Sequence, residues 1–141
     1  MQLQKAETPE ALHQLEQECF EPPLSFEAIA AYFQGDQYSS YLFVDGDKPV
    51  CFAILMEIPD ECELIRIGTI KESRGTGKAF HFLRELMDYY SGRGYREMFL
   101  EVAKKNFPAR RLYLKSGFRK YGFRKNYYGD DNHAHLLKTR L

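Results

Sequence analysis

The chain has 141 residues, enough for one domain with its own core, and its 44% hydrophobic and 15% aromatic content excludes a disordered or fibrous chain. Twenty basic side chains balance twenty acidic ones, so no net field recruits nucleic acid or a membrane surface. No apolar run reaches the length of a membrane span, and the opening Met1-Gln2-Leu3-Gln4-Lys5 is no signal peptide, so a cytoplasmic protein is expected.

A short opening strand is expected over Gln2–Lys5. Thr8 as cap and Pro9 at the first helical position open a helix whose apolar stripe is Leu12, Leu15 and Cys19. A second helix begins at Ser25 and stops at Gly35. Strands follow over 41–44 and 50–58, joined by the turn Asp45-Gly46-Asp47-Lys48. Pro59-Asp60 turns the chain into a third strand, which runs through Leu64-Ile65-Arg66-Ile67-Gly68-Thr69-Ile70. A long helix then carries Ala79, Phe80, Leu83, Leu86, Met87 and Tyr90 at helical spacing and closes at Ser91-Gly92-Arg93-Gly94. Residues 95–102 alternate, with Met98, Leu100 and Val102 on one face and Phe99 and Glu101 on the other. A short helix from Asn106 to Gly117 turns Ala109, Leu112 and Tyr113 inward, and strands over 118–128 and 133–141 end the chain. This order predicts an α/β protein with a mixed sheet and helices on both faces.

Three cysteines, Cys19, Cys51 and Cys62, cannot all pair and are expected as reduced thiols, some of them in the core. No C-x-x-C or H-x-x-x-H spacing suggests a metal, and His133 and His135 read as a sheet-surface pair.

Between the third strand and the long helix stands Glu72-Ser73-Arg74-Gly75-Thr76-Gly77-Lys78-Ala79. It is not a P-loop, because Glu72 takes the first glycine position and Ala79 replaces the metal-binding hydroxyl. Phe80 takes the place of the third glycine of a dinucleotide fingerprint. What remains is a pair of glycines that let the backbone turn its N–H groups inward just before a helix N-terminus. That combination suits a pyrophosphate; an ordinary structural turn is the competing reading. Glu101 lies near the end of a central strand, where open α/β sheets place ligands, although alone it reads as a solvent-facing glutamate. Asn106 reads as a helix cap and Tyr113 as a core aromatic.

The succession Arg74-Gly75-Thr76-Gly77-Lys78-Ala79, Leu100-Glu101-Val102, Asn106, Leu112-Tyr113, Gly117-Phe118 and Arg124-Lys125-Asn126-Tyr127-Tyr128 resembles the GNAT acetyltransferase superfamily. Within it, the pattern resembles the RimI-type N-terminal acetyltransferases of bacterial ribosomal protein. The resemblance covers residues 64–128 and implies a single GNAT domain over 1–141. Its sheet should be mixed, mostly antiparallel and six- to seven-stranded, with helices on both faces, and its co-substrate acetyl-CoA. It implies that Ser73, Arg74, Gly75, Thr76, Gly77 and Lys78 hold the pyrophosphate. Ile67, Gly68 and Thr69 should offer backbone groups to the pantetheine arm and the acetyl carbonyl, with Asn106 touching the cofactor from the other side. Glu101 is then the general base and Tyr113 the general acid of a direct transfer. The acceptor implied is a protein N-terminal α-amine, typically the alanine of ribosomal protein S-eighteen. No metal, membrane or direct nucleic-acid partner is implied, and a monomer or weak dimer is expected.

Departures from the family pattern bear on this reading. Glu72 stands where relatives carry Gln or Arg; turned outward it costs little, and turned inward it weakens phosphate binding. The loop from Thr69 to Gly75 is shorter, and Pro22-Pro23-Leu24-Ser25 replaces an aromatic of the acceptor groove. Glu57, Asp60, Glu61 and Glu63 read either as an acidic rim for a basic acceptor tail or as a solvated edge. The pairs Arg110-Arg111, Arg119-Lys120 and Arg124-Lys125 read as solvated surface. Two alternatives stay open. Tyr127 and Tyr128 suit a small-amine pocket, and Glu72 with the short loop suits an acyl-CoA-binding module without catalysis.

Overall fold

The computed structural model describes residues 1–141. In chain order it comprises β1 (Gln2–Lys5), α1 (Pro9–Cys19), α2 (Phe26–Ala31), β2 (Tyr38–Asp45), β3 (Lys48–Ile58), β4 (Glu61–Thr69), α3 (Lys78–Gly92), β5 (Glu97–Ala103), α4 (Phe107–Lys115), β6 (Arg119–Arg124) and β7 (Ala134–Arg140). The strands form one seven-stranded sheet in the order β1-β2-β3-β4-β5-β7-β6. Every neighbouring pair is antiparallel except β4 and β5. The sheet is therefore mixed and mostly antiparallel, as expected.

Helices cover both faces, and strand alternation decides which residues meet which helix. Tyr41 and Phe43 of β2 face α3: the Phe43 and Phe82 rings stack at 5.1 Å and the Tyr41 and Tyr90 hydroxyls lie 3.1 Å apart. The stripe of α3 is buried as its period requires, through Phe82, Leu83, Leu86, Met87 and Tyr90. Each such side chain contributes about 1.5–3 kcal/mol on leaving water. On the opposite face, α1 lays Phe20 against Phe52 of β3 at 6.2 Å between ring centres.

Several local expectations need correction. The Thr8 side chain makes no capping bond, and Pro9 opens α1 without it. The second helix ends at Ala31 rather than Gly35, because the amides of Tyr32, Phe33 and Gln34 bond carbonyls three residues back and tighten the chain out of the α-helix. The strand expected over 118–128 ends at Arg124. Asn126 there adopts φ 52°, donates its amide to His133 Nδ1 at 2.9 Å and accepts the Asp131 amide at 3.0 Å, folding the rest into a loop. The turn between β2 and β3 is as read, with Gly46 at φ 64°. All three cysteines are free and buried. No helix is long and apolar enough to cross a membrane.

Two irregularities in the middle of the sheet create the site. Ile54 pairs with Arg66 but Leu55 with Leu64, so Ile65 is an extra residue, a bulge in β4. The parallel ladder between β4 and β5 stops at Leu64 and Leu100, while β4 runs on to Thr69 and β5 to Ala103. The two strands splay apart there, and the outer edge of β4 past Leu64 has no strand partner.

Candidate active site

A groove of about 700 Å³ opens at the splay. Ile67, Gly68 and Thr69 of β4 form its floor, the loop Ser73 to Lys78 and α3 one wall, and α4 the other, through Asn106, Arg111, Leu112, Tyr113 and Lys115. The structure thus brings together the three β4 residues, the glycine loop, Asn106 and Tyr113, which lie far apart in the sequence.

The loop fits a pyrophosphate for reasons of backbone alone. Gly75 and Gly77 adopt φ 74° and 82°, conformations that L side chains rarely take, and no atom lies within 4 Å of where their Cβ would be. Gly77 caps α3 with no side-chain bond, so the first amides of that 15-residue helix keep their donors free. Lys78, Arg111 and Lys115 add cationic side chains along the groove. Two further loop side chains are occupied. Thr76 Oγ1 donates to the Ser73 carbonyl at 2.5 Å. Arg74 donates through Nε to the Thr69 carbonyl at 3.1 Å and through Nη2 to the Cys19 carbonyl, so Arg74 offers a ligand its amide rather than its guanidinium. Glu72 pairs with Lys48 at 3.7 Å on the exposed side of the loop and does not line the groove.

Glu101 of β5 points to the face that carries α1, opposite Leu100 and Val102, which are buried toward α3 and α4. Its Oε1 pairs with Arg124 Nη2 at 3.1 Å, which leaves Oε2 unpaired. Glu63 sits on the same face of β4; burial, then the charge of Glu101, push its carboxyl up, while Arg124 opposes them. Glu57 does not join this acidic group, which corrects the expected rim. It lies on the α3 face, where it accepts the Tyr90 hydroxyl at 2.5 Å and pairs with Arg93 at 3.3 Å.

Tyr113 reaches the splay from the α4 side. Its ring is buried beside Phe118 at 5.9 Å, yet its hydroxyl has no hydrogen-bond partner and is not a fully enclosed atom. Burial, and behind it the charge of Tyr128, hold this phenol well above its ordinary pKa, so it stays a proton donor at neutral pH. Asn106 caps α4 by accepting the Ala109 amide at 3.3 Å and still lines the groove. Tyr113 lines the groove, whereas Glu101, the first β5 residue past the parallel ladder, does not line it and points to the opposite face of the sheet; a phenol on one side and a carboxylate on the other suit giving a proton and taking one.

Residues outside the motifs also build the site. Cys19 and Phe20 line the groove, and the exposed Arg111 and Lys115 stand along its rim. The basic periodicity of the short helix carried that signal for Arg111, whereas nothing local marks Phe20.

A family model described as the Acetyltransferase (GNAT) family matches residues 9–118. The [Ribosomal protein bS18]-alanine N-acetyltransferase of Haemophilus influenzae is 32% identical over 119 residues, 84% of this chain and 80% of that protein. The protein of the same description from Haemophilus ducreyi is 32% identical over 95 residues, 67% of this chain and 66% of its own length. The crystal structure of the ribosomal-protein-S18-alanine N-acetyltransferase from Escherichia coli superposes with a TM-score of 0.89 at 27% identity, covering 99% of this chain and 92% of that one.

Proposed function

The chain belongs to the GNAT family and is an acetyl-CoA-dependent N-acetyltransferase, and on that premise we propose that it acetylates the N-terminal alanine α-amine of a ribosomal protein of the bS18 kind in the cytoplasm. The observation that carries this reading is the pair Glu101 and Tyr113 on opposite faces of the splay between β4 and β5. Supporting it, the relatives named for this acceptor match most of the chain.

Acetyl-CoA supplies the activated acyl carbon as a thioester. The amides at Gly75, Gly77 and the start of α3 hold the diphosphate, and the unpaired edge of β4 over 67–69 orients the arm that follows. A free α-amine has a pKa of roughly 7.7–8, so most of it arrives as ammonium. Glu101 Oε2, directly or through water, takes the proton, and Arg124 on Oε1 keeps the carboxylate turned toward the amine. Backbone donors of β4 meet the negative charge that develops on the carbonyl oxygen. The neutral amine attacks the thioester carbon, Tyr113 gives its hydroxyl proton to the sulfur as the carbon–sulfur bond breaks, and the second proton that the nitrogen sheds as the carbon–nitrogen bond forms passes through water to restore the phenol. Glu63 and Glu61 add negative potential on the acceptor face, which suits a basic N-terminal segment.

The test is incubation with acetyl-CoA and an alanine-starting basic peptide, with the product sequenced by mass spectrometry. Acetyl on the α-amine is the expected result. Preference for a polyamine, amino sugar or free amino acid would displace the peptide reading, and coenzyme binding without turnover on any amine would displace catalysis altogether.

A further inference from the structure

Proton transfer by Glu101 and Tyr113 does not require Glu16, yet Glu16 is a carboxylate with 0% exposure in the middle of the acceptor side. Three donors saturate it. Arg66 Nε lies 2.7 Å from Oε1, Arg66 Nη2 2.6 Å from Oε2, and the Leu24 amide 2.8 Å from Oε2. The same guanidinium stacks on the Phe20 ring with 3.9 Å between Cζ and the ring centre. Phe20 in turn rests on the bare backbone of Gly68, where any Cβ would come within 2.9 Å of Phe20 and 2.8 Å of Phe52. Farther along, Arg74 ties the Cys19 carbonyl to the Thr69 carbonyl. The end of α1 is therefore fastened to β4 at Arg66, at Gly68 and beyond Thr69, along the stretch whose other edge faces the groove.

Stability alone is a poor reason for this arrangement, because a buried ion pair is often replaced by apolar residues without loss. A forked guanidinium supplies direction instead: two parallel bonds fix distance and angle, and the third bond fixes where the chain goes after α1. Arg66, Gly68 and Phe20 share the face of the sheet to which Glu101 points.

We propose that Glu16 and Arg66 are positioning residues for the acceptor: they lock Phe20 and the connection over 20–24 against β4, forming the wall that guides the amine to Glu101. The inference rests on the acetyl-transfer reading above and concerns only its acceptor side.

The test compares wild type with the Glu16→Met/Arg66→Met double variant, which removes both charges together, and with Arg66→Lys, which keeps the charge but loses the fork. Acetyl-CoA affinity is measured by calorimetry, kcat and KM with the alanine-starting peptide, and Cys19 reactivity by thiol labelling and mass spectrometry. In the double variant, acetyl-CoA affinity should stay within about twofold while peptide kcat/KM falls about tenfold to a hundredfold, mainly through KM. Arg66→Lys should fall less, and Cys19 should label faster in both variants. A folded double variant with wild-type peptide kinetics overturns the proposal. Equal losses of coenzyme affinity and peptide turnover also overturn it, since they mark a merely structural role. If the double variant does not fold, unchanged peptide kinetics and Cys19 protection in Arg66→Lys overturn it. A wild-type protein that ignores the peptide but acetylates a small amine contradicts the acceptor reading instead, and the variants are then measured with that amine.

Discussion

On the donor side of the groove the contacts are main-chain: the turned glycines 75 and 77 and the free amides that open α3. On the proposed acceptor side they are side-chain: Glu16 on Arg66, Arg66 on Phe20, Arg124 on Glu101. A backbone site depends on two dihedral conformations and is indifferent to its neighbours, which is why Glu72 beside it is harmless once Lys48 holds it outward. A side-chain site depends on contacts between residues about fifty positions apart, such as Glu16 and Arg66, so single substitutions retune it. Such a division lets a fold keep one donor while its acceptor changes.

Substitutions separate the two sides, and the largest effect is expected at the base. Glu101→Gln should lower kcat about a hundredfold to a thousandfold with calorimetric acetyl-CoA affinity unchanged. A parallel loss of affinity would place Glu101 on the donor side and erase the contrast. Tyr113→Phe should lower kcat by about tenfold to a hundredfold with the same unchanged affinity. Gly77→Val acts on the other side. Forcing a branched side chain to φ 82° costs about 1–2 kcal/mol, so acetyl-CoA affinity should fall by about tenfold while the acceptor KM stays put.

The smallest effect concerns pH. The Glu63 carboxyl is held up in the folded state mainly by burial and next by Glu101, so its protonated form favours folding and that contribution disappears as pH rises through its folded pKa. Glu63→Gln should therefore flatten the stability profile above the ordinary glutamate pKa of about 4.3, leaving the variant the less pH-sensitive protein in thermal unfolding. An unchanged profile would mean that Glu63 feels neither burial nor its neighbour.

How much was legible beforehand follows the same division. The glycine loop, the alternation that turns Glu101 away from Leu100, and Asn106 as a cap are all local patterns, written in adjacent residues. The proposed acceptor wall is not. Phe20 shows no periodicity that distinguishes it from a loop aromatic, and its role depends on Gly68 offering bare backbone and on Arg66 stacking above it. The position of Glu57 also depends on pairing between strands. The tight turn at Pro59-Asp60 pairs Glu57 with Cys62 and Ile58 with Glu61, so Glu57 lies on the face opposite Glu61 and Glu63 although all three look like one acidic run.

The most direct measurement is a crystal structure of the complex with coenzyme A and an alanine-starting peptide. The expected result is a diphosphate against the amides at Gly75 and Gly77, with the peptide amine entering on the Phe20 side within reach of Glu101. A diphosphate seated away from the glycines, or an amine entering beside α4 and Tyr113, would contradict it.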